Sequence, residues 1–133
     1  VQNIKYVPGY FAASSAQGIE RIIYDATCNI PRDKKSLIHD WATIRKKYPY
    51  KRLSVINQLL AAGRFRAPDS QSVKTPSLVL TSKNDRLVSY KCSKAIADKY
   101  NFDLHINDIA GHDLAVDDDH WMLERITDFS EKI

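Results

Sequence analysis

The sequence is poor in the residues that mark unusual classes of chain. Its 133 residues include only 4 glycines and 5 prolines, and 44% of them are hydrophobic. This composition excludes collagen-like, low-complexity and intrinsically disordered chains. No run approaches the roughly 18 consecutive apolar residues that a membrane span needs. We therefore expect a folded chain of about one domain in length that has no membrane partner.

The chain also lacks a starting methionine and a secretion signal, because no charged segment followed by an apolar core opens it. A sequence that starts at Val1 is expected to have been cut from a longer chain. Cysteine is scarce as well: Cys28 and Cys92 form no CxxC pair and have no histidine at metal-ligand spacing. We expect two buried or half-buried free thiols, no metal or other cofactor, and a reducing, cytoplasmic location.

Charge of one sign is not in large excess, since the net charge is +4. The basic residues crowd between Arg45 and Arg52, and the acidic ones between Asp113 and Glu124. A nucleic-acid-binding surface needs a basic face backed by readout elements, and here the basic cluster lies at the end of a predicted helix. We expect a solvated helix end and no nucleic-acid partner; docking of an acidic substrate or partner is the alternative.

Residues 67–72 form a polar, turn-rich linker that divides two kinds of pattern. Residues 1–72 are predicted to be a helical, cap-like or lid-like region with its connecting helices. The apolar stripes at helical spacing are Ile19, Ile22, Ile23 and Ala26; Leu37, Ile38, Trp41, Ile44 and Tyr48; and Leu53, Ile56, Leu59 and Leu60. Pro49 ends the second helix, and Gly63 is expected just past the third as its C-cap. Residues 4–11 stay ambiguous because Pro8 and Gly9 interrupt them.

After the linker the pattern becomes strand–helix–strand–helix, over residues 73–133. Residues 77–81 form a short apolar run that predicts a fully buried strand, and residues 102–107 alternate as a second strand. Ser89 can cap the helix between them, and one of Asp117, Asp118 and Asp119 starts the last helix. On the first of these helices Cys92, Ala95, Ile96 and Tyr100 share one face, and the last helix is expected to bury Trp121, Met122, Ile126 and Phe129.

This order predicts two parallel strands joined by a right-handed crossover. Two parallel strands are too few to close a core, because a parallel sheet is normally covered by helices on both faces. The expected fold class is therefore α/β, mostly helical with a small parallel sheet, and the piece looks like the end of a larger domain. A strand with no neighbour on one side leaves its N–H and C=O groups unpaired there, and this favours self-association of the chain into a homo-oligomer.

Asp85 directly follows the first predicted strand, and His112 directly follows the second. Parallel neighbours place the loops after their C-terminal ends on one edge of the sheet, where ligands bind in open α/β folds. The two side chains should therefore lie within about 2.6–3.2 Å of each other. An aspartate held against an imidazole fixes its tautomer and stabilises the imidazolium, as in a nucleophile–His–acid triad. Taken singly, either residue could be an ordinary turn residue.

Residues 76–89 and 110–114 resemble the late part of an α/β-hydrolase. In that family the loop after one late strand supplies the acid, and a Gly-His loop after the last strand supplies the base. The resemblance implies that Asp85 orients the base and that His112 is the general base, so these are the candidate catalytic residues. Residues 57–65 and the helix over residues 119–132 also resemble family segments, and the likeness extends over about residues 35–133.

The family's nucleophile elbow is missing, because no G-x-S-x-G occurs in the sequence. Ser14 and Ser15 lack the framing glycine and the preceding strand, and no oxyanion-hole loop is present. The resemblance thus implies the C-terminal portion of a serine-type hydrolase that cleaves a small-molecule ester, thioester or amide, with this chain alone inactive. The alternative is a non-catalytic, partner-binding module with the same fold.

The remaining polar candidates carry less information. His39, His105 and His120 are expected at the surface or on the polar side of their elements. Asp117, Asp118 and Asp119 could suggest a cation site, but the start of a helix explains them more simply.

Overall fold

The computed structural model describes residues 5–30, 33–49, 51, 53–69 and 73–133. Val1, residue 4, Arg52 and the linker residues 70–72, all named above, lie outside this part. In chain order the elements are α1 (Tyr6–Ala12), α2 (Ala16–Thr27), α3 (Lys34–Lys47), α4 (Leu53–Arg64), β1 (Leu78–Ser82), α5 (Tyr90–Tyr100), β2 (Asp103–Asn107), α6 (Leu114–Asp117) and α7 (Asp119–Ser130). The described chain is thus mostly helical with a two-stranded parallel sheet.

The first two helices follow local rules. Pro8 and Gly9, which made this stretch ambiguous, lie inside α1. Pro8 is tolerated because it lies in the first turn, where backbone N–H groups have no acceptor within the helix. Ser15 caps α2, since its hydroxyl accepts a 3.0 Å hydrogen bond from the N–H of Gly18. The expected helix over residues 19–26 is confirmed.

The main apolar core lies between α2 and α3. Tyr24, Cys28 and Ile38 form its buried centre, and the rings of Tyr24 and Trp41 lie 6.2 Å apart. The apolar stripe predicted for α3 is covered at its start, where Ile38 is buried. It is exposed at its end, where Ile44 is 57% and Tyr48 64% exposed. There an ion pair between Glu20 and Arg45 joins the two helices in place of apolar contacts.

The α4 helix differs from its prediction in two ways. It continues through Gly63 to Arg64, so Gly63 is a helical residue and not a C-cap. None of its residues is buried, and Leu53, at the head of its predicted apolar stripe, is 68% exposed. The reason is that α4 overlies a cavity, which Val55 and Leu59 line, instead of packing on a filled core.

The predicted parallel pairing is confirmed: β1 and β2 run in register from Leu78 opposite Asp103 to Ser82 opposite Asn107. Full burial of β1 is wrong, since only Thr81 and Ser82 are buried. Among the described residues each strand has a single neighbour, so much of β1 is only half-covered.

The helices that flank the sheet begin where the sequence indicated. The Ser89 hydroxyl accepts the N–H of Lys91 at the start of α5, and the Asp118 carboxylate accepts the N–H of Trp121 at the start of α7. Both helices, α5 and α7, are less buried than their apolar faces suggest, because a two-stranded sheet is too narrow to cover those faces. Ala97 is buried on α5, and Trp121, Met122 and Phe129 are half-buried on α7, whereas Cys92, Ala95, Ile96 and Ile126 are exposed.

Both cysteines are free, Cys28 buried as expected and Cys92 exposed contrary to expectation. Among the described residues, none of the helices has the length and apolar character needed to cross a bilayer.

The Glu20–Arg45 ion pair gives a stability prediction. Both side chains are largely buried, so Glu20→Gln should leave the Arg45 charge poorly compensated. We expect the free energy of unfolding, measured by urea denaturation, to fall by about 2–3 kcal/mol. The control is Asp98→Asn, which breaks an exposed pair with Lys94 and should cost about 0.5 kcal/mol or less. Equal losses in the two variants would contradict the buried role of Glu20.

Candidate active site

The loop after β1, residues 83–89, holds Asp85 in a fixed orientation. One carboxylate oxygen of Asp85, Oδ1, accepts the N–H groups of Leu87 at 2.7 Å and Val88 at 3.0 Å. These bonds close a turn of the kind that aspartate makes with its own backbone. The side chain is only 9% exposed. One oxygen is therefore used by the loop, and the other, Oδ2, is left for a partner.

The loop after β2, residues 108–113, is fixed by the last residue of the strand. The buried Asn107 side-chain oxygen accepts the N–H groups of Ile109 at 2.9 Å and Ala110 at 2.7 Å. The Ser82 hydroxyl, at the end of β1, donates to the carbonyl of Ala110. This turn directs the chain back toward the end of β1 and carries His112 with it.

The two loops bring His112 and Asp85 together. The distance from His112 Nδ1 to Asp85 Oδ2 is 2.8 Å, so the contact expected from the sequence is present. A carboxylate offers no proton, so Nδ1 carries the hydrogen of this bond and the neutral ring keeps Nε2 as its proton acceptor. The imidazole is 43% exposed and can be reached from outside.

The pair shifts the pKa values of both groups. Burial raises the pKa of Asp85, but the hydrogen bonds from His112, Val88 and Leu87 together outweigh it, and the net pKa lies below the usual aspartate value. The hydrogen bond to Asp85 raises the pKa of His112 above the usual histidine value, although burial opposes it. The two shifts have the signs expected for an ionised carboxylate that stabilises an imidazolium.

A third part of the site, which the sequence did not indicate, is the end of α2 and the residues after it, segment 27–30. Arg86 donates to the carbonyl of Cys28, and the Asn29 amide donates to the carbonyl of Asn84 at 3.1 Å. The Asp113 N–H donates to the carbonyl of Thr27 at 3.1 Å. Segment 27–30 therefore contacts both loops of the site.

Asp117 completes this arrangement and differs most from expectation. Asp118, and not Asp117, caps the start of α7. Asp117 is instead almost fully buried, with 1% of the residue exposed. Its carboxylate accepts the N–H groups of Asn29, Ile30 and Gly111 at 2.7, 3.1 and 2.6 Å. Three consecutive aspartates offer no signal that separates the buried one from the cap.

A cavity of about 450 Å³ opens beside His112. Its walls come from α1, α2, α4 and the loop after β1, and the residues that line it are Tyr6, Val7, Tyr10, Ile22, Ile23, Ala26, Val55, Gln58, Leu59, Ala62, Leu87, Val88 and His112. The lining is mostly apolar, and none of its described residues is an aspartate, glutamate, lysine or arginine. Such a cavity favours an apolar group over a charged one.

The other sequence candidates lie apart from this pair. Ser15 is used as the cap of α2, and within the described residues no serine hydroxyl is hydrogen-bonded to His112. His39 and His120 are exposed, and His105 contacts Asp103 at 3.4 Å. The part of the chain that the structure describes holds no group of three or more His, Cys, Asp or Glu side chains suited to a metal ion.

The fold is similar to that of a solved structure, the crystal structure of a "putative lipase" from Acinetobacter baumannii AYE. The TM-score is 0.72 at 17% sequence identity, and the match covers 98% of this chain and 48% of that one. This chain thus has a lipase-like fold and spans about half the length of that structure. No family profile matches the sequence, and no curated protein matches it.

Gly111 provides a prediction about the geometry of the site. A Cβ atom at this residue would lie 2.3 Å from the carbonyl oxygen of Thr27, a backbone atom that cannot move alone. Gly111→Ala should therefore push the loop away from α2 and lower the free energy of unfolding by about 1–3 kcal/mol. The control is Gly63→Ala, which meets nothing within 4 Å and should stabilise α4 by up to about 1 kcal/mol. Denaturation curves that rank the variants in the opposite order would refute the close approach.

Proposed function

We propose that this chain is the C-terminal part of an α/β-hydrolase that cleaves an acyl bond. In this proposal His112 is the general base, Asp85 is the acid that orients it, and a serine nucleophile is supplied by a part of the protein outside residues 1–133. The observation that carries the proposal is the 2.8 Å bond between Asp85 and His112, formed by loops that follow two parallel strands. The lipase-like fold supports it.

The chemistry that this pair supports is a two-stage acyl transfer. His112 Nε2 removes the proton from the serine hydroxyl as the oxygen attacks the substrate carbonyl. The imidazolium then gives that proton to the leaving group as the acyl bond breaks. In the second stage Nε2 takes a proton from water as the water attacks the acyl-enzyme, and it gives that proton to the serine oxygen as the acyl–serine bond breaks and the acid leaves. Asp85 stays ionised throughout and stabilises the imidazolium, in keeping with its lowered pKa.

The cavity beside His112 bears on the substrate. Its apolar lining, about 450 Å³ in volume, suits the hydrocarbon part of an ester better than a charged acyl group. Most of the walls come from helices of residues 1–72, whereas the Asp85–His112 pair and the remaining wall residues, Leu87 and Val88, come from residues 73–133. We assign the first region as the cap and the second as the strand–helix–strand–helix end of the catalytic core.

The alternative is a binding module that has the fold without the reaction, and a full-length protein that contains no G-x-S-x-G after a strand would favour it. Labelling with an organophosphorus ester, which reacts with activated serines, distinguishes the two proposed functions. The full-length protein should be labelled at a serine outside residues 1–133, and His112→Ala should abolish labelling. A full-length protein that is folded but neither labelled nor active on simple esters would favour the binding module.

The first test of mechanism is Asp85→Asn in the full-length protein. Asparagine can still contact His112 but cannot hold the correct tautomer or stabilise the imidazolium, so kcat should fall by about 10⁴-fold, as in the serine-protease triad. The activity profile should change as well. Wild-type activity falls as the pH drops through the raised pKa of His112, and losing the Asp85 charge should move that acidic limb to lower pH.

The control for this experiment is Asp128→Asn, which removes an exposed carboxylate paired with Arg125 on α7. Its turnover and pH profile should match the wild type. Turnover of Asp85→Asn within a few-fold of the wild type would mean that Asp85 is only a turn residue.

Residues 1–133 alone should be inactive and should self-associate. An Asp–His pair can deprotonate a nucleophile but cannot replace one, and an uncovered sheet edge invites pairing with a second copy. Ester assays and light scattering over a wide concentration range measure the two halves of this expectation. A strict monomer would contradict the association, and serine-dependent turnover would contradict the inactivity.

A further inference from the structure

We propose that Asp117 is a positioning residue for His112: its buried carboxylate fastens the loop that carries His112 to segment 27–30, which also holds the loop that carries Asp85. The proposal concerns the alignment of the pair, and its effect on turnover rests on the proposed function. Asp117 lies five residues after His112 in the sequence.

The first step is the bond to Gly111, the residue just before His112. Asp117 Oδ2 accepts the Gly111 N–H at 2.6 Å, a short distance typical of a charged acceptor. The neighbouring Asp113 N–H donates to the carbonyl of Thr27 at 3.1 Å. His112 is thus flanked on both sides by backbone bonds that leave the loop, and its backbone has little freedom to shift.

The second step is the attachment of the same carboxylate to segment 27–30. Asp117 accepts the N–H groups of Asn29 at 2.7 Å and Ile30 at 3.1 Å. These groups follow the end of α2, where the backbone has no helical partner. One side chain therefore joins two parts of the chain that lie more than 80 residues apart in sequence.

The third step is that segment 27–30 is itself attached to the acid loop. Arg86 donates to the carbonyl of Cys28, and the Asn29 amide donates to the carbonyl of Asn84 at 3.1 Å. Asn84 and Arg86 are the residues directly before and after Asp85 in the sequence. The acid and the base are consequently held against the same short segment, and Asp117 is the connection on the side of the base.

A carboxylate is the chemical group that this position requires. Three N–H donors converge on it, and two oxygens with about four lone-pair directions can accept all of them. An asparagine would present one oxygen and one NH₂ group, so at least one N–H would face another donor. Asp117→Asn should therefore release part of this connection without changing the size of the side chain.

The experiment is a pH titration of the His112 ring by NMR in the full-length protein with isotope-labelled histidines, combined with steady-state kinetics. In folded Asp117→Asn, the pKa of His112 should fall toward the ordinary histidine value because its bond to Asp85 is loosened. Turnover should fall by about 10–100-fold with KM changed less than about twofold, the size of loss expected from a misplacement on the order of 1 Å.

The control is Glu20→Gln, which also neutralises a buried carboxylate and destabilises the fold, but at the α2–α3 ion pair. It should leave both the His112 pKa and kcat at the wild-type values. A folded Asp117→Asn protein that keeps the wild-type His112 pKa or, where the wild type is active, the wild-type kcat would overturn the proposal and reduce Asp117 to a purely structural residue.

A second variant decides the matter if Asp117→Asn does not fold. Asn29→Ala removes exposed bonds to the carbonyls of Asn84 and Ile109 and leaves the Asp117 carboxylate in place. In Asn29→Ala, a fall of the His112 pKa that is smaller than the one expected for Asp117→Asn supports the role of segment 27–30. An unchanged His112 pKa overturns that role. If the full-length wild type has no activity, the proposed function fails, while the NMR titration still tests the positioning role.

Discussion

Backbone hydrogen bonds pair β1 with β2 in parallel, from Leu78 opposite Asp103 to Ser82 opposite Asn107, so both strands end at one edge of the sheet. The pairing continues one residue further, where the N–H of Lys83 donates to the carbonyl of Asn107 at 3.0 Å. Every polar group of the candidate site depends on this alignment. Two strands that ran in opposite directions would place the loops carrying Asp85 and His112 at opposite edges of the sheet.

Beyond the strand ends, side chains take over the role of the strand hydrogen bonds. Buried backbone N–H groups need acceptors, and a loop has no neighbouring strand to supply them. Asp85 accepts two N–H groups of its own loop, Asn107 accepts two of the next, and Asp117 accepts three from two separate segments. The loops are therefore held by acceptors within the protein, which is why a pair of side chains on two loops can have a defined geometry.

The sequence predicted the parts of the site that follow from local patterns. Two apolar runs with the spacing of a crossover fixed the parallel pairing, and that pairing alone placed Asp85 beside His112. Segment 27–30 and its connection to Asp117 could not be found in this way, because the bonds that join the segment to the two loops and to Asp117 connect positions 55 or more residues apart and leave no periodicity. The burial of residues on the predicted helix stripes was the other feature that the sequence did not predict correctly. An apolar stripe gives the direction of a helix face but not what packs against it, and Ile44 and Leu53 are exposed.

The electrostatic balance of the pair explains why each group keeps its role next to an apolar cavity. When Nε2 of His112 accepts a proton, the cation forms beside a lining that is mostly hydrocarbon and stabilises it little. The Asp85 charge, 2.8 Å from Nδ1, supplies that stabilisation. Asp85 could in principle take the proton itself, since its burial raises its pKa. The hydrogen bond from His112 and the N–H groups of Val88 and Leu87 oppose this by binding the ionised form, and the net pKa stays below the usual value. The turn that shapes the loop thus also helps to keep the carboxylate ionised, so the proton stays on the imidazole, as the proposed general base requires.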